Sequence, residues 1–392
     1  MLLAHKIRLI PTPADEMYFA RACGVARFAW NWSLATWQTM YAAWKLDPTQ
    51  PKPSAYTVRK QLNAIKREQF PWMLEVTKCA AETAVLNLGT AYQNWFSSLS
   101  GKRRGPKVSA PTFKKKHRGR DSFKVDGMFI QLDGPRIRVP NLGWVRMRES
   151  VRFSGKVVSV TISRAAHAWF ASVLVETNDV PPRSENQASV GVDVGIKALA
   201  TFSDGRVVEG PKALTTLLQR LRRLSRAHSR KVKGSNNRRK SARCLARLHW
   251  RIANVRNDAL HKLSHHLTTE YGFIAIEDLN VAGMLKNGRL ARHIADAGFG
   301  ELRRQLEYKA AQRGVQLEVV NRWYPSSKTC SDCGSINEVL TLSDRFWVCM
   351  ACGSTHDRDS NAAKNILAEA IRQVNITTPG AGVTVCESSA TE

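Results

Sequence analysis

The sequence predicts an α+β protein of several domains, and three observations predict it. Apolar residues recur at helical spacing from about residue 13 to 100, then at strand spacing over 122–176. From residue 188 onward, strand patterns alternate with helical ones. Two close cysteine pairs then interrupt that second half and run straight into an acidic helix, "CSDCGSINEVLTLSDRFWVCMACGSTHDRDSNAAKNI", residues 330–366.

Length and charge bound the rest. A chain of 392 residues can build two or three domains with a sizeable core. Sixty Lys and Arg against 32 Asp and Glu leave a formal charge of +28. Solubility does not require so large an excess, which implies a polyanionic partner, by default nucleic acid. A membrane surface fits less well, because the basic residues are not gathered beside an apolar segment. The opening "MLLAHKIRLIPTP" is broken by His5, Lys6 and Arg8, so it reads as neither leader nor anchor. No apolar run approaches the ~18 residues of a membrane span. Of eight cysteines, four are paired and four (Cys23, Cys79, Cys244, Cys386) stand alone, which is metal usage in a reducing compartment. A soluble, cytoplasmic protein is expected.

Residues 2–10, "LLAHKIRLI", alternate as a strand. Thr12 can cap the following helix, with Pro13 at its first position and Asp15 three residues after the cap. The helical block is dense in tryptophan, read as helix-on-helix packing, with base stacking as the alternative. Residues 101–120 hold nine Lys or Arg and no acid, a basic loop that cannot bury itself, and Lys114, Lys115 and Lys116 within it are read as nucleic-acid contacts. The period-two region carries the hairpin dipeptide Asp133-Gly134. It reads as a small β-barrel or sandwich completed by the N-terminal strand, with the helical block inserted into it. "NDVPPRSENQ" (178–187) is a linker. Beyond it come two strands, a turn at Asp204-Gly205 and a third strand. One or two long helices over 212–270 lead to the strand "FIAIEDL" at 273–279. A strand in "GVQLEVVNRWYPSS", the cysteine unit and the helix "DSNAAKNILAEAIRQV" follow, and the last twenty residues form a disordered tail.

Cys330-x2-Cys333-x15-Cys349-x2-Cys352 has the spacing of a four-thiolate zinc ribbon. Four thiolates close the shell, so this zinc would be structural and could not activate water. His356 lies near, but four sulfurs already suffice.

Three acids stand in comparable settings. Asp193 shares a strand face with Gly191 and Gly195, which leaves room around its carboxylate, while Val190, Val192 and Val194 face the other way. Glu277 shares a face with Ala275 at the end of an apolar strand, the edge at which α/β proteins bind ligands. Asp278 beside it is read as a cap or turn residue. Asp359 opens the last helix, whose Ala362 and Ala363 would let it lie close to a sheet. Asp357 competes with it, and an N-cap role is the plain reading for either. Mg²⁺ takes hard oxygen ligands. Two such ions ~4 Å apart can activate a water and stabilise the leaving oxygen of a phosphodiester. The order hairpin, acid, helical insert, strand, acid, helix-borne acid is what an RNase H-like α/β core requires.

Residues 220–256 carry fourteen Lys or Arg and no acid. Arg222, Arg226 and Arg230 recur every four residues, as do Arg243, Arg247 and Arg251, each set one stripe of a helix. Leu245, Leu248, Ile252 and Val255 form the opposing apolar face. Solvated faces normally mix signs. These stripes are therefore read as contacts to a nucleic-acid backbone, salt-sensitive and blind to sequence.

"GVDVGIKALATFSDG", "IAIEDLN" and the cysteine unit with its helix together resemble the TnpB family of transposon-encoded, RNA-guided DNA nucleases, relatives of the type V CRISPR effectors. The matching motifs span about 188–368, and the N-terminal half resembles the family more loosely. The resemblance implies a RuvC-like nuclease domain (184–325 and 357–372) split by a zinc ribbon (326–356). It also implies a wedge-type β-barrel (1–11 and 106–183) interrupted by a helical recognition domain (12–105), with a tail at 373–392. It implies Asp193, Glu277 and Asp359 as catalytic ligands of two Mg²⁺, and Cys330, Cys333, Cys349 and Cys352 as ligands of one Zn²⁺. The implied partners are a guide RNA from the transposon end and double-stranded target DNA with a short flanking motif, with no membrane. The guide rests on the resemblance alone. A strand-transferring transposase with the same acids, or a guided repressor without chemistry, remain the alternatives.

Overall fold

The computed structural model describes residues 1–116, 119, 121–178, 185–341 and 343–377. It falls into two units, Met1–Asp179 and Val180–Glu392. Arg118, Arg120, much of the expected linker, Cys386 and the tail from 378 lie outside the described residues.

In the first unit β1 (Leu2–Ile10) precedes α1 (Pro13–Leu46), α2 (Ala55–Gln69) and α3 (Lys78–Leu99). Six strands follow: β2 (Ser122–Asp126), β3 (Gln131–Asp133), β4 (Arg136–Val139), β5 (Gly143–Met147), β6 (Lys156–Ala165) and β7 (Ala168–Glu176). They order as β2-β6-β7-β1-β5-β4-β3, and every ladder is antiparallel. β1 thus lies inside the sheet, and its alternation sends Leu3, Ile7 and Leu9 into the core. Thr12 and Asp15 form the reciprocal cap that starts α1. Helices and sheet share one core: Phe19 of α1 lies 6.1 Å from the Phe123 ring and 5.1 Å from the Trp169 ring. Trp30 and Trp37 are buried in that packing.

The second unit runs β8 (Ser189–Asp193), β9 (Ala200–Phe202), β10 (Val207–Val208), α4 (Ala213–Ser229), α5 (Asn236–Glu270) and β11 (Phe273–Glu277). It continues through α6 (Val281–Met284), α7 (Ala291–Ala297), α8 (Phe299–Arg313), β12 (Gln316–Val320), the hairpin β13 (Phe346–Val348) with β14 (Thr355–Asp357), and α9 (Arg358–Thr377). The main sheet is mixed, in order β10-β9-β8-β11-β12. β8, β11 and β12 are parallel, while β9 and β10 run antiparallel. Val190, Val192, Ile274 and Ile276 pack on one face against Leu260, Leu263 and Leu267 of α5 and Leu302 and Leu306 of α8. Phe273, Ala275 and Val320 pack on the other against Ile366 and Ala370 of α9.

Helix α9 approaches so closely that a Cβ on Gly191 would stand 2.0 Å from the Ala363 carbonyl oxygen. It runs to Thr377, past the residue at which the tail was expected to begin. Helices α4 and α5 form an antiparallel pair sealed by Leu214, Leu217, Leu221 and Leu224 against Leu248 and Ile252. Val255, expected on that seam, is 40% exposed, because the paired helix α4 packs near Leu248 and Ile252. Asp296 of α7 caps α4 from a distance, accepting from the Leu214 and Thr215 amides.

Candidate active site and metal centre

Across the parallel pair Ile276 stands opposite Val192. The next residues, Glu277 and Asp193, therefore end neighbouring strands of the sheet. Alternation decides their direction. Gly191 touches α9 and Ala275 belongs to the α9 cluster, so Asp193 and Glu277, two residues further on, share that face. Asp359 lies in the first turn of α9. The structure thus brings together three acids from three chain segments.

Their electrostatics record this crowding. Burial, and then the charges of Asp359 and Glu277, push the Asp193 carboxyl up to about 7, against the pull of Arg358. Glu277 is raised as well, by burial first and by Asp278 second. Asp359 is held by two cations: Arg345 Nη1 donates to both carboxylate oxygens at 3.2 and 3.1 Å, and Arg358 Nη2 to one at 3.3 Å. With Asp359 so engaged, the acids converge less tightly than the thiolates. Among the described residues, the one group of three or more His, Cys, Asp or Glu side chains placed to hold a metal ion is Cys330, Cys333, Cys349 and Cys352, whose sulfurs all lie within 4.8 Å of one another.

The neighbouring acids separate cleanly. Asp357 caps α9, its Oδ1 accepting from the Asp359 and Ser360 amides at 3.1 and 2.9 Å. Asp278 is neither cap nor turn residue: it pairs with Arg303 of α8 and with Arg322 beyond β12. Hydrogen bonds from those arginines hold its carboxyl below the usual range.

The cysteine unit fits a tetrahedral ion. Zn–S bonds near 2.3 Å imply a sulfur tetrahedron with edges of about 3.8 Å. The Sγ separations are 3.7 Å for Cys330–Cys352 and 3.6 Å for Cys333–Cys349. Each C-x-x-C knuckle closes on a glycine in the left-handed region, Gly334 at φ 76° and Gly353 at φ 75°. His356, set aside as a ligand, is buried with Nε2 3.1 Å from Cys330 Sγ, a neighbour of the sulfur.

Arg222, Arg226, Arg243, Arg247 and Arg251 are exposed along α4 and α5, and Arg230, also exposed, falls just past the end of α4. Lys114 differs from its neighbours. Its Nζ sits 3.7 Å over the Trp30 ring, and Asn31 holds its backbone at both N–H (2.7 Å) and C=O (2.9 Å). Lys115 and Lys116 project freely into solvent. Sequence reasoning missed Arg345 and Arg358. The one signal for Arg358 was its place between the two aspartates of "DRD".

Among the described residues no helix is long and apolar enough to cross a membrane. Residues 172–288 match a family model described as "Probable transposase", and residues 299–366 one described as "Cas12f1-like, TNB domain". Residues 1–45 match a "Helix-turn-helix domain" model, although here they form a strand and one unbroken helix. A protein of Streptomyces pristinaespiralis named "Putative RNA-guided DNA endonuclease" is 36% identical over 370 residues, covering 93% of this chain and 88% of that one. The Escherichia coli K12 protein named "Putative RNA-guided DNA endonuclease InsQ" is 34% identical over 383 residues, covering 94% and 92%. A "TnpB-like protein" of Acanthamoeba polyphaga mimivirus is 34% identical over a shorter 139 residues, 34% of this chain and 26% of that one. Among solved structures, a Cas12f1–sgRNA–target DNA complex matches with a TM-score of 0.54 at 15% identity, covering 91% and 83%. The chain therefore has a Cas12-like α+β fold, with an antiparallel sheet in the first unit and a mixed sheet in the second.

Proposed function

This chain belongs to the TnpB family, and on that premise we propose that it is an RNA-guided DNA endonuclease carried by a transposable element. One observation supports this reading above the others. Asp193 and Glu277 end adjacent parallel strands on the face that α9 crosses with Asp359. Three carboxylates meet there, and burial with like charge makes the setting unfavourable for an ionised Asp193 unless further positive charge enters. Asp193, Glu277 and Asp359 would hold two Mg²⁺, which would supply an activated water and stabilise the leaving oxygen.

The residues of the chain do the rest. The main sheet of the second unit, with α5, α8 and α9, serves as a RuvC-type core of RNase H-like kind. Arg345 and Arg358 bring positive charge to the carboxylate edge where a phosphate would lie. Cys330, Cys333, Cys349 and Cys352 would hold Zn²⁺ as scaffold, steadying the segment that delivers Asp359. The first unit acts as a wedge-type barrel with an inserted helical recognition part. The arginine stripes of α4 and α5, with Lys115 and Lys116, would contact nucleic-acid backbones. The partners would be a guide RNA from the transposon end and a duplex target bearing a short flanking motif, in the cytosol close to the nucleoid. Base pairing with the guide would then choose the sequence to be cut.

The experiment is to purify the protein expressed with its native flanking DNA, sequence the RNA that comes with it, and offer a matching duplex with Mg²⁺. Cut ends that depend on the RNA support the reading. Ends joined to target DNA would instead make it a strand-transferring transposase, which the "Probable transposase" match to residues 172–288 favours. Tight guided binding without cutting would make it a repressor.

A further inference from the structure

The cysteine unit and the helix that bears Asp359 are joined by two buried amides. Asn361 and Asn365 lie one turn apart on α9, 2% and 4% exposed. Asn365 Nδ2 donates to the carbonyls of Ser326 and Thr329 at 2.7 and 2.6 Å. Asn361 Nδ2 donates to the Thr329 carbonyl at 2.7 Å, and its Oδ1 accepts from the Ser331 amide at 2.9 Å. The residues on both sides of Cys330 are thus tied to one face of α9, through backbone atoms alone.

We propose that Asn361 and Asn365 are positioning residues: they convert the fixed geometry of the first cysteine knuckle into the axial and rotational setting of α9, and so of Asp359. The argument is geometric. Cys330 would be fixed by an ion held with Cys333, Cys349 and Cys352, and it is bonded directly to the peptide planes of Thr329 and Ser331. Those planes hold the two amides, and Asp359 stands two residues before Asn361 on the same helix. Apolar side chains at 361 and 365 would fill the space equally well but leave the half-buried Thr329 carbonyl and Ser331 amide without these partners. The inference rests on the proposed nuclease reading for its cutting readout and on the fold for its other one.

The test uses the full chain bound to its own RNA, with Asn365→Leu and Asn361→Asp made separately. Asn365→Leu removes donors while keeping shape, and Asn361→Asp turns a donor into an acceptor facing a carbonyl. Zinc content and target binding should match the unsubstituted protein in at least one variant. Amide exchange over residues 358–364 should then rise about tenfold or more. The Mg²⁺ needed for half-maximal cutting should rise by a similar factor, with Mn²⁺ restoring the rate. Zinc-loaded variants with unchanged exchange and unchanged Mg²⁺ demand would overturn the proposal. Loss of zinc and RNA binding in both variants would overturn it too, by showing a role in folding alone. If the unsubstituted protein never cuts, the nuclease reading fails instead, and the exchange measurement still decides the role of the amides.

Discussion

Replacing Gly191 with alanine tests the placement of Asp359 most directly. The backbone at Gly191 lies outside the left-handed region, so alanine is conformationally acceptable there. Contact alone decides the outcome. The new Cβ would meet the Ala363 carbonyl oxygen at 2.0 Å and Leu367 Cβ and N at 2.9 Å. Comfortable contact begins near 3.5 Å, so β8 and α9 must part by roughly 1.5 Å. Both are backbone elements of one packed sheet and helix, and neither can swing aside as a long side chain can. Overpacking of this kind costs about 1–3 kcal/mol. In a unit of about 200 residues that lowers the melting temperature by roughly 2–12 °C. Asp359 precedes Ala363 by one helical turn and moves with it. A misplacement of ~1 Å can cost ~10²-fold in rate. Cutting by Gly191→Ala should therefore fall about a hundredfold at temperatures where the protein remains folded, with RNA and target binding retained. Gly195→Ala is the control, since its Cβ would meet only the Ala198 carbonyl oxygen, at 3.1 Å. A Gly191→Ala protein that melts and cuts like the original would show that the close approach of α9 places nothing of consequence.

The other expectations are briefer. Asp193→Ala should abolish cutting in a plasmid-cleavage assay while leaving RNA and DNA affinity nearly intact, and a variant that still cuts would remove Asp193 from the site. Cys333→Ser should lose zinc by metal analysis and lower both melting temperature and cutting, whereas undiminished cutting would end the scaffold role of the ribbon. Removing Arg243, Arg247 and Arg251 together should weaken binding to all sequences and reduce the slope of log K against log salt by up to about 3. An unchanged slope would leave the stripe facing solvent. Burial, with Arg313 nearby, pushes the Lys309 ammonium down to about 8 from 10.5. The unfolded chain then holds the extra proton between those values, so stability rises with pH across that window. Lys309→Met should flatten the rise in denaturant titrations at pH 7.5 and 10, and an equal rise in both proteins would assign it to other groups.

Local pattern carried much of the site. Period-two alternation put Asp193 with Gly191 and Glu277 with Ala275, and both pairs do share a face, because a strand leaves no other choice. The cysteine spacing picked out four thiols that the fold does bring together, because a knuckle is a local object. Partners distant in sequence were the part that pattern could not supply. Nothing near Asp278 announces Arg303 or Arg322, and nothing near Asp359 announces Arg345 fourteen residues earlier. Val255 fits the helical period of its neighbours, yet it is exposed where the paired helix no longer covers α5. Asn361 and Asn365 showed their i, i+4 spacing, but the carbonyls they hold appear only once the knuckle is folded against them.

These nonlocal ties bear on why the four-cysteine cluster stands immediately before Asp359. A carboxylate at the start of a helix is poorly fixed by that helix alone, since its first turn lacks intrahelical partners for its amides and frays readily. Here the N-terminal half of α9 is held from three directions. Asp357 caps it, Gly191 admits it against the sheet, and the Ser326–Ser331 segment grips Asn361 and Asn365. The segment that grips is itself short and without strands of its own before β13, so it needs an internal anchor, and a four-sulfur site supplies one within a few residues. Placing the anchor next to the acid keeps the mechanical path between them to a handful of buried hydrogen bonds. On the proposed zinc reading, removal of the ion should therefore be felt at Asp359 before it is felt at Asp193 or Glu277, which the parallel ladder of β8 and β11 secures by itself.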